Sequence, residues 1–249
     1  MDLVLYSHIE YSDCWAPFFG ELDKHLKFEF ENRYICSNKV NDSLDEDVVH
    51  IKYDDSDAYT DRLLNCLSSV QGENILFTHE DMILYDSVNM EDFNHCIEHL
   101  EDVDFIKLIK GGSPKDTSYD MAYQGSSILK HVLPTFDYFF AIQPTLWKKH
   151  KLVELLENNR FKSIWDFESS GQSYCKLAGF KGLYVFHKND KKVGSFHWNS
   201  TVYPYIATAV VNGNWNFDEY QHMVGTINGL ALAERELLDL VEAMRKGEE

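Results

Sequence analysis

The chain has 249 residues, 44% of them hydrophobic, and its 41 Asp and Glu against 23 Lys and Arg give a formal net charge of −18. That hydrophobic share supports a packed core and excludes a largely disordered chain, while the negative balance opposes the phosphate attraction that dominates nucleic-acid binding and so excludes a DNA or RNA reader. No apolar run approaches the about 20 residues needed to span a bilayer, and the five cysteines form no C-x-x-C pair, so a soluble, cytoplasmic protein with reduced thiols and no transmembrane segment is expected.

The start of the chain, Met1-Asp2-Leu3-Val4-Leu5-Tyr6-Ser7, lacks the basic region of a signal peptide and reads directly as a strand over residues 3–6. Trp15, Phe18, Phe19, Leu22 and Leu26 then recur at helical spacing, which predicts a helix over residues 14–26. Residues 28–35 and 48–53 read as a second and a third strand, and Ser56 or Asp57 caps a helix over residues 58–69 whose Leu63, Leu64 and Leu67 face the core. Alternating strands and helices of this kind argue for a mostly parallel, layered sheet.

The next segment, Ile75-Leu76-Phe77-Thr78-His79-Glu80-Asp81, is an apolar strand that ends on two adjacent carboxylates. Such a pair repels itself and gives up hydration, so it is kept ionised by a cation or by dense hydrogen bonding. The cation expected here is Mg²⁺ or Mn²⁺, because ligands gather at the carboxyl ends of strands in open α/β sheets. Solvated acids at a strand end are the alternative. A phosphorylated ligand on so acidic a chain needs such a metal, or a local cluster such as Lys107 and Lys110, to offset repulsion.

His95-Cys96-Ile97-Glu98-His99 fits the H-x-x-E-H pattern of some zinc proteases. Phe93, Ile97 and Leu100 define the core side of that helix, which leaves His95, Glu98 and His99 toward water with no third ligand in view, so the motif reads as a surface helix. Residues 103–109 read as a strand, and Gly111-Gly112-Ser113-Pro114 opens a polar stretch reaching about Gln124. Residues 128–133 and 138–142 look extended, residues 144–157 read as a helix with Pro144 near its start, and residues 182–187 as a strand. Ser163-Ile164-Trp165-Asp166-Phe167-Glu168 offers carboxylates alternating with aromatics. One of them is a candidate general base, and an ordinary helix start with Ser163 as cap is the other reading. Asn212-Gly213 reads as a turn, and helices are expected over residues 216–224 and 230–245.

In their order, Trp15-Ala16-Pro17-Phe18-Phe19, Glu80-Asp81, Gln143-Pro144-Thr145-Leu146-Trp147, Trp165-Asp166-Phe167-Glu168 and Asn212-Gly213-Asn214-Trp215 resemble the landmarks of GT-A-fold glycosyltransferases, particularly small bacterial and viral nucleotide-sugar transferases. The resemblance implies an α/β fold with a Rossmann-type nucleotide-binding half, a mixed, mostly parallel sheet flanked by helices, and C-terminal helices. It implies a single domain over residues 1–249, with a nucleotide- and metal-binding half (1–112) and an acceptor half (113–249). The implied activity moves a sugar from a nucleotide-sugar donor to a glycan or other acceptor hydroxyl. Glu80 and Asp81 stand where such enzymes carry a D-x-D metal motif, although neither local triplet has two carboxylates flanking one residue. By position Glu168, then Asp166, is implied as the base, and Ser7, Tyr11, Asp54 and Arg62 as nucleotide contacts. Trp147 and Trp165 are core residues or, at a cleft edge, rings for an acceptor sugar. The alternatives are a noncatalytic nucleotide- or glycan-binding protein of the same fold and a nucleotidyltransferase, against which counts the lack of a Gly-rich, basic phosphate loop after the first strand.

Overall fold

In the computed structural model the residues described are 1–40, 44, 46–111, 120–136, 138–193, 197–205, 209–211 and 214–216. The expected C-terminal helices, the Asn212-Gly213 turn and most of the polar stretch after Gly111 lie outside them.

Eight strands form one sheet: β1 (Asp2–Tyr6), β2 (Arg33–Ser37), β3 (Val48–Lys52), β4 (Asn74–His79), β5 (Phe105–Lys107), β6 (Leu129–His131), β7 (Thr145–Lys148) and β8 (Gly182–Val185). Their order is β3-β2-β1-β4-β7-β5-β8-β6. The first four run parallel, β7 enters antiparallel between β4 and β5, β8 is parallel to β5 and β6 closes the edge antiparallel. This is the mixed, mostly parallel α/β sheet expected of a GT-A-like fold. It draws β1 to β5 from before residue 112 and β6 to β8 from after it.

Both faces are buried, which is why the strands read as continuous apolar runs. On one face Leu3, Leu5, Leu76, Ile106 and Leu146 pack with Trp15, Phe18, Phe19 and Leu22 of α1 (Trp15–His25) and Phe93 and Cys96 of α3 (Met90–His99). On the other, Val4, Tyr6, Ile75, Phe77, Phe105 and Trp147 meet α2 (Tyr59–Ser69), α4 (Lys149–Glu157) and α5 (Ile164–Leu177). Neighbours in a strand thus serve opposite layers, as the two-residue period requires.

Four expectations differ from what is seen, the first being the second strand, expected over residues 28–35 and formed at Arg33–Ser37. The predicted helix over residues 144–157 begins only at Lys149, because Thr145-Leu146-Trp147 fills the slot between β4 and β5. There Trp147 is 1% exposed and its ring lies 4.8 Å from Phe105. Residues 138–142 form no strand. Their backbone groups are taken by side chains instead: Lys107 Nζ donates to the Tyr138 carbonyl (2.7 Å), the Phe139 amide to Gln172 Oε1 (3.0 Å) and the Ile142 amide to Glu168 Oε1 (2.9 Å). α2 starts after Ala58 without a side-chain cap, while Asp54 closes the preceding turn by accepting from the Ser56 amide (2.8 Å).

α3 forms where expected, capped by Asn89, but its histidines are not free in solvent. His95 Nε2 meets Ser126 Oγ at 3.1 Å and His99 Nδ1 meets Asp102 at 3.4 Å. Among the described residues no group of three or more His, Cys, Asp or Glu side chains is placed to hold a metal, so His95 and His99 make no zinc centre there. No helix among the described residues is long and apolar enough to cross a membrane.

Candidate functional site

The carboxyl ends of β1 and β4 open into a cleft made of two adjoining cavities. The first, about 290 Å³, is lined by Tyr6, Ser7, Tyr11, Tyr53, Tyr59 and Arg62, with Lys162 at its rim. The second, about 590 Å³, is lined by Glu80, Asp81, Ile142, Trp165, Glu168 and the short strand β11 (Val210–Val211), which pairs antiparallel with β12 (Asn214–Trp215) as β9 (Lys192–Val193) does with β10 (His197–Trp198). Tyr11, His79, Glu80 and Ile164 border both cavities.

The first cavity is aromatic because three tyrosines converge from successive elements. Tyr6, the last residue of β1, stacks on Tyr53 with ring centres 5.3 Å apart and planes within 8°. Tyr59, the first residue of α2, meets Tyr6 edge-on at 5.3 Å. Arg62 lies one turn further along α2 with its guanidinium 5.4 Å from the Tyr53 ring, held by Asp55 Oδ1 at 3.4 Å and by the Asp57 carbonyl at 2.8 Å. Tyr53 donates to the Ser7 carbonyl (2.7 Å) and Trp15 Nε1 to Ser7 Oγ (2.6 Å), so the turn leaving β1 is fixed from two sides.

Two polar groups at this site are costly as they stand. Tyr59 is 4% exposed and His79 6%, and neither the Tyr59 hydroxyl nor either ring nitrogen of His79 has a hydrogen-bond partner among the described residues. Burial pushes His79 down to about 4, so its imidazole is neutral, with one donor and one acceptor that are both buried in the cleft wall. Each unpaired buried polar group costs about 1–3 kcal/mol. A bound molecule recovers this where these side chains turn to meet it. Tyr59→Phe is therefore expected to leave the ligand-free protein as stable or slightly more stable, and to weaken any ligand of the tyrosine pocket by about tenfold. Paired melting and calorimetric titrations of the two proteins check this, and equal ligand affinity would remove the hydroxyl from the site.

Glu80 and Asp81 follow β4 directly. Met82, Ile83 and Leu84 behind them are buried, and the turn is held from outside by Tyr203, which donates to the Met82 carbonyl (2.9 Å), and by the Ala209 amide, which donates to the Asp81 carbonyl (2.6 Å). Burial raises both carboxyls, and the Asp81 charge raises Glu80 further. Among the described residues neither has an ion pair with Lys, Arg or His; the neighbouring charges acting on Glu80 are Asp81 and Asp13. A buried carboxylate beside a half-buried one, with no cation among the described residues, fits a hard divalent ion, which is commonly held by one or two carboxylates plus substrate phosphates and waters. The lack of a third protein ligand among the described residues agrees with that division.

The pair also sets a pH dependence. Asp81 is pushed from 3.8 up to about 7, so the folded chain binds more protons than the unfolded chain between about pH 4 and about pH 7, and stability falls as pH rises through that window. Melting in a chelator should decline across it, the decline should flatten in Asp81→Asn, and Mn²⁺ should reverse it near neutrality. A profile identical in parent and Asp81→Asn would contradict this.

Glu168 projects from the second turn of α5 and its carboxyl is raised by partial burial, with the Ile142 amide and Lys107 opposing. Asp166 sits differently. It accepts from the Lys162 amide (3.0 Å) and Ser170 Oγ (2.9 Å), those contacts hold its carboxyl below the usual range, and it is not among the side chains lining the cleft. Ser163 caps the helix by accepting from the Asp166 amide (3.2 Å). The cleft therefore brings together Ser7, Tyr11, Arg62, Glu80, Asp81 and Glu168. Asp54 lines a neighbouring surface pocket with Asn38, Lys52 and Asp55, and Tyr53 borders both that pocket and the cleft. Tyr6, Tyr53, Tyr59, His79 and Lys162 were not singled out from the sequence; an aromatic at the carboxyl end of β1 and just after β3, strands on either side of β2, is the signal that marks two of them.

No family model matches the chain, and no curated protein does. Solved structures of similar fold include residues 1–349 of S. aureus TarS in complex with UDP (10% identity, TM-score 0.49, covering 79% of this chain and 59% of that one). Others are the galactosyltransferase LgtC in complex with donor and acceptor sugar analogues (13%, 0.45, 74% and 73%) and the bifunctional IspDF of Campylobacter jejuni (13%, 0.45, 76% and 50%). The chain spans about half the length of IspDF and under two thirds of the TarS fragment. At these identities the likeness is one of backbone architecture.

Proposed function

We propose that the protein is a glycosyltransferase that moves a sugar from a nucleotide-sugar donor to an acceptor hydroxyl. The observation that carries this is the joined cleft: an aromatic and cationic pocket, two adjacent carboxylates with no ion pair among the described residues, and a second, larger space with its own carboxylate. Tyr6, Tyr53 and Tyr59 are suited to an aromatic base and its ribose, and Arg62, Lys162 and Tyr11 to the phosphate side. His79 borders both cavities, and its buried, unpaired ring nitrogens would meet hydroxyls of the donor on a small turn of the ring. Glu80 and Asp81 are the residues to hold Mg²⁺ or Mn²⁺, and the chemistry such an ion supplies when bound is stabilisation of the leaving diphosphate as a Lewis acid.

Glu168 is proposed as the base. Its Oε1 is fixed by the Ile142 amide, which orients the carboxylate, and partial burial raises its proton affinity. Both effects suit a group that must take a proton from an attacking hydroxyl near neutral pH. Glu168, not Asp166, is the choice because Asp166 is committed to the helix start.

Nucleotidyl transfer is the second reading. The segment after β1, the short helix Ile9–Cys14, carries Glu10 and Asp13 and no basic residue, which disfavours attack at an α-phosphate, where cationic groups must gather negative charge. A third reading is a noncatalytic nucleotide- or glycan-binding protein of this fold. Incubation with panels of nucleotide sugars and of nucleoside triphosphates plus sugar phosphates, with Mn²⁺, separates them. Release of nucleoside diphosphate is expected; release of pyrophosphate would establish nucleotidyl transfer, and binding without either product would favour the noncatalytic reading.

A further inference from the structure

Trp165 is 73% exposed although Trp is among the side chains with most to gain from burial. It stands on the rim of the larger cavity, three residues before Glu168 and so on the same face of α5. Across the space lie Val210 and Val211, and Val211 is 47% exposed. Two of the six large hydrophobic side chains exposed among the described residues thus border one cavity. The remaining wall includes Ile142, Ile164 and Met82 beside the carboxylates of Glu80, Asp81 and Glu168. The lining is apolar on its faces and acidic at its base.

We infer that this cavity receives a neutral saccharide as the acceptor, with Trp165 as the platform on which a sugar ring stacks. The inference rests on the transferase reading above and adds the acceptor's class. A pyranose presents an apolar C–H face and a polar hydroxyl edge. Laid on the Trp165 ring, it places that edge toward Glu168, one helical turn deeper. A phosphorylated or anionic acceptor does not suit the site, since carboxylates line it and the whole chain carries −18. A purely apolar chain does not suit it either, because it would desolvate Glu168 and Asp81 without returning a hydrogen bond. The volume, about 590 Å³, lies within the range of small-molecule pockets.

The test titrates the whole protein, loaded with Mn²⁺ and the nucleoside diphosphate it binds, with methyl glucoside, methyl galactoside, N-acetylglucosamine, lactose and maltose. Saturation-transfer NMR reads binding, and sugar transfer is followed with the matching nucleotide sugar. At least one saccharide should bind the parent, and Trp165→Ala should raise its KM by about tenfold or more, with Trp165→Phe in between. Leu177→Ala, which removes the other exposed apolar side chain of α5 (90% exposed), should match the parent. Parental KM in Trp165→Ala, or no binding by any saccharide while a hydroxyl-bearing peptide or alkanol is accepted, overturns the inference. Absence of nucleotide binding in the parent defeats the transferase reading instead, and the NMR arm, repeated without nucleotide, then reads the saccharide site separately: binding lost in Trp165→Ala sustains it, and no binding overturns it.

Discussion

Glu168→Gln is expected to transfer sugar about 100-fold more slowly than the parent, or slower still, with donor affinity nearly unchanged. The carboxamide keeps an oxygen for the Ile142 amide, now met by Oε1 at 2.9 Å, so the local structure survives while the proton acceptor is lost. A role confined to packing predicts the opposite pattern, a lower melting temperature with parental turnover. Asp166→Asn is the control: it weakens the helix start by loosening contacts to the Lys162 amide and Ser170, so it should lower the melting temperature and leave transfer intact. Parental rates in Glu168→Gln would remove it as the base, and a simultaneous loss in Asp166→Asn would move that role to Asp166.

Asp81→Asn should produce effects of opposite sign. Without a divalent ion the substitution relieves repulsion between a half-buried carboxyl and its buried neighbour and raises stability by about 1–2 kcal/mol, or roughly 2–4 °C in Tm per kcal/mol for a chain of this size. With Mn²⁺ present it should weaken nucleotide binding by more than about tenfold, because half of the charge available to the ion is gone. Few other roles predict a protein that is sturdier alone and poorer at binding. A merely structural aspartate would lose stability in both conditions. Equal nucleotide affinity in parent and Asp81→Asn, with and without metal, would rule out the proposed role.

What could be read from the sequence follows from where a local signal and the tertiary environment agree. β1 and β4 are apolar on both faces, so their runs are unmistakable, and the carboxylates after β4 fall where open sheets gather ligands. Ser163 has the side chain and the spacing of a helix cap, and it acts as one. The failures have physical causes. Thr145-Leu146-Trp147 carries both helical and extended signals, and only the vacancy between β4 and β5 decides for a strand. Residues 138–142 have the pattern of a strand, yet Lys107, Gln172 and Glu168 satisfy their backbone in place of a neighbour. At the site the right turns were found: Ser7 lines the cleft beside Tyr6, whereas Asp54 lines the neighbouring surface pocket and Tyr53 before it lines the cleft. Position ranks Glu168 ahead of Asp166, and the contact that distinguishes them physically, the Ile142 amide meeting Glu168, carries no local sequence signal. His79 carries no sequence signal at all, since its significance is the absence of a hydrogen-bond partner, a property of the folded surroundings.

The central claim is that this cleft binds a nucleoside diphosphate with the tyrosines around the base and Glu80 and Asp81 at the phosphates. Calorimetric titration of the intact protein with the common nucleoside diphosphates and their sugars, in chelator and in Mn²⁺, tests it most directly. The account predicts selective binding of one base, strengthened at least about tenfold by Mn²⁺ and weakened by Tyr59→Phe and by Asp81→Asn. Binding of no nucleotide under either condition, or equal binding of all of them regardless of metal and of both substitutions, would contradict it.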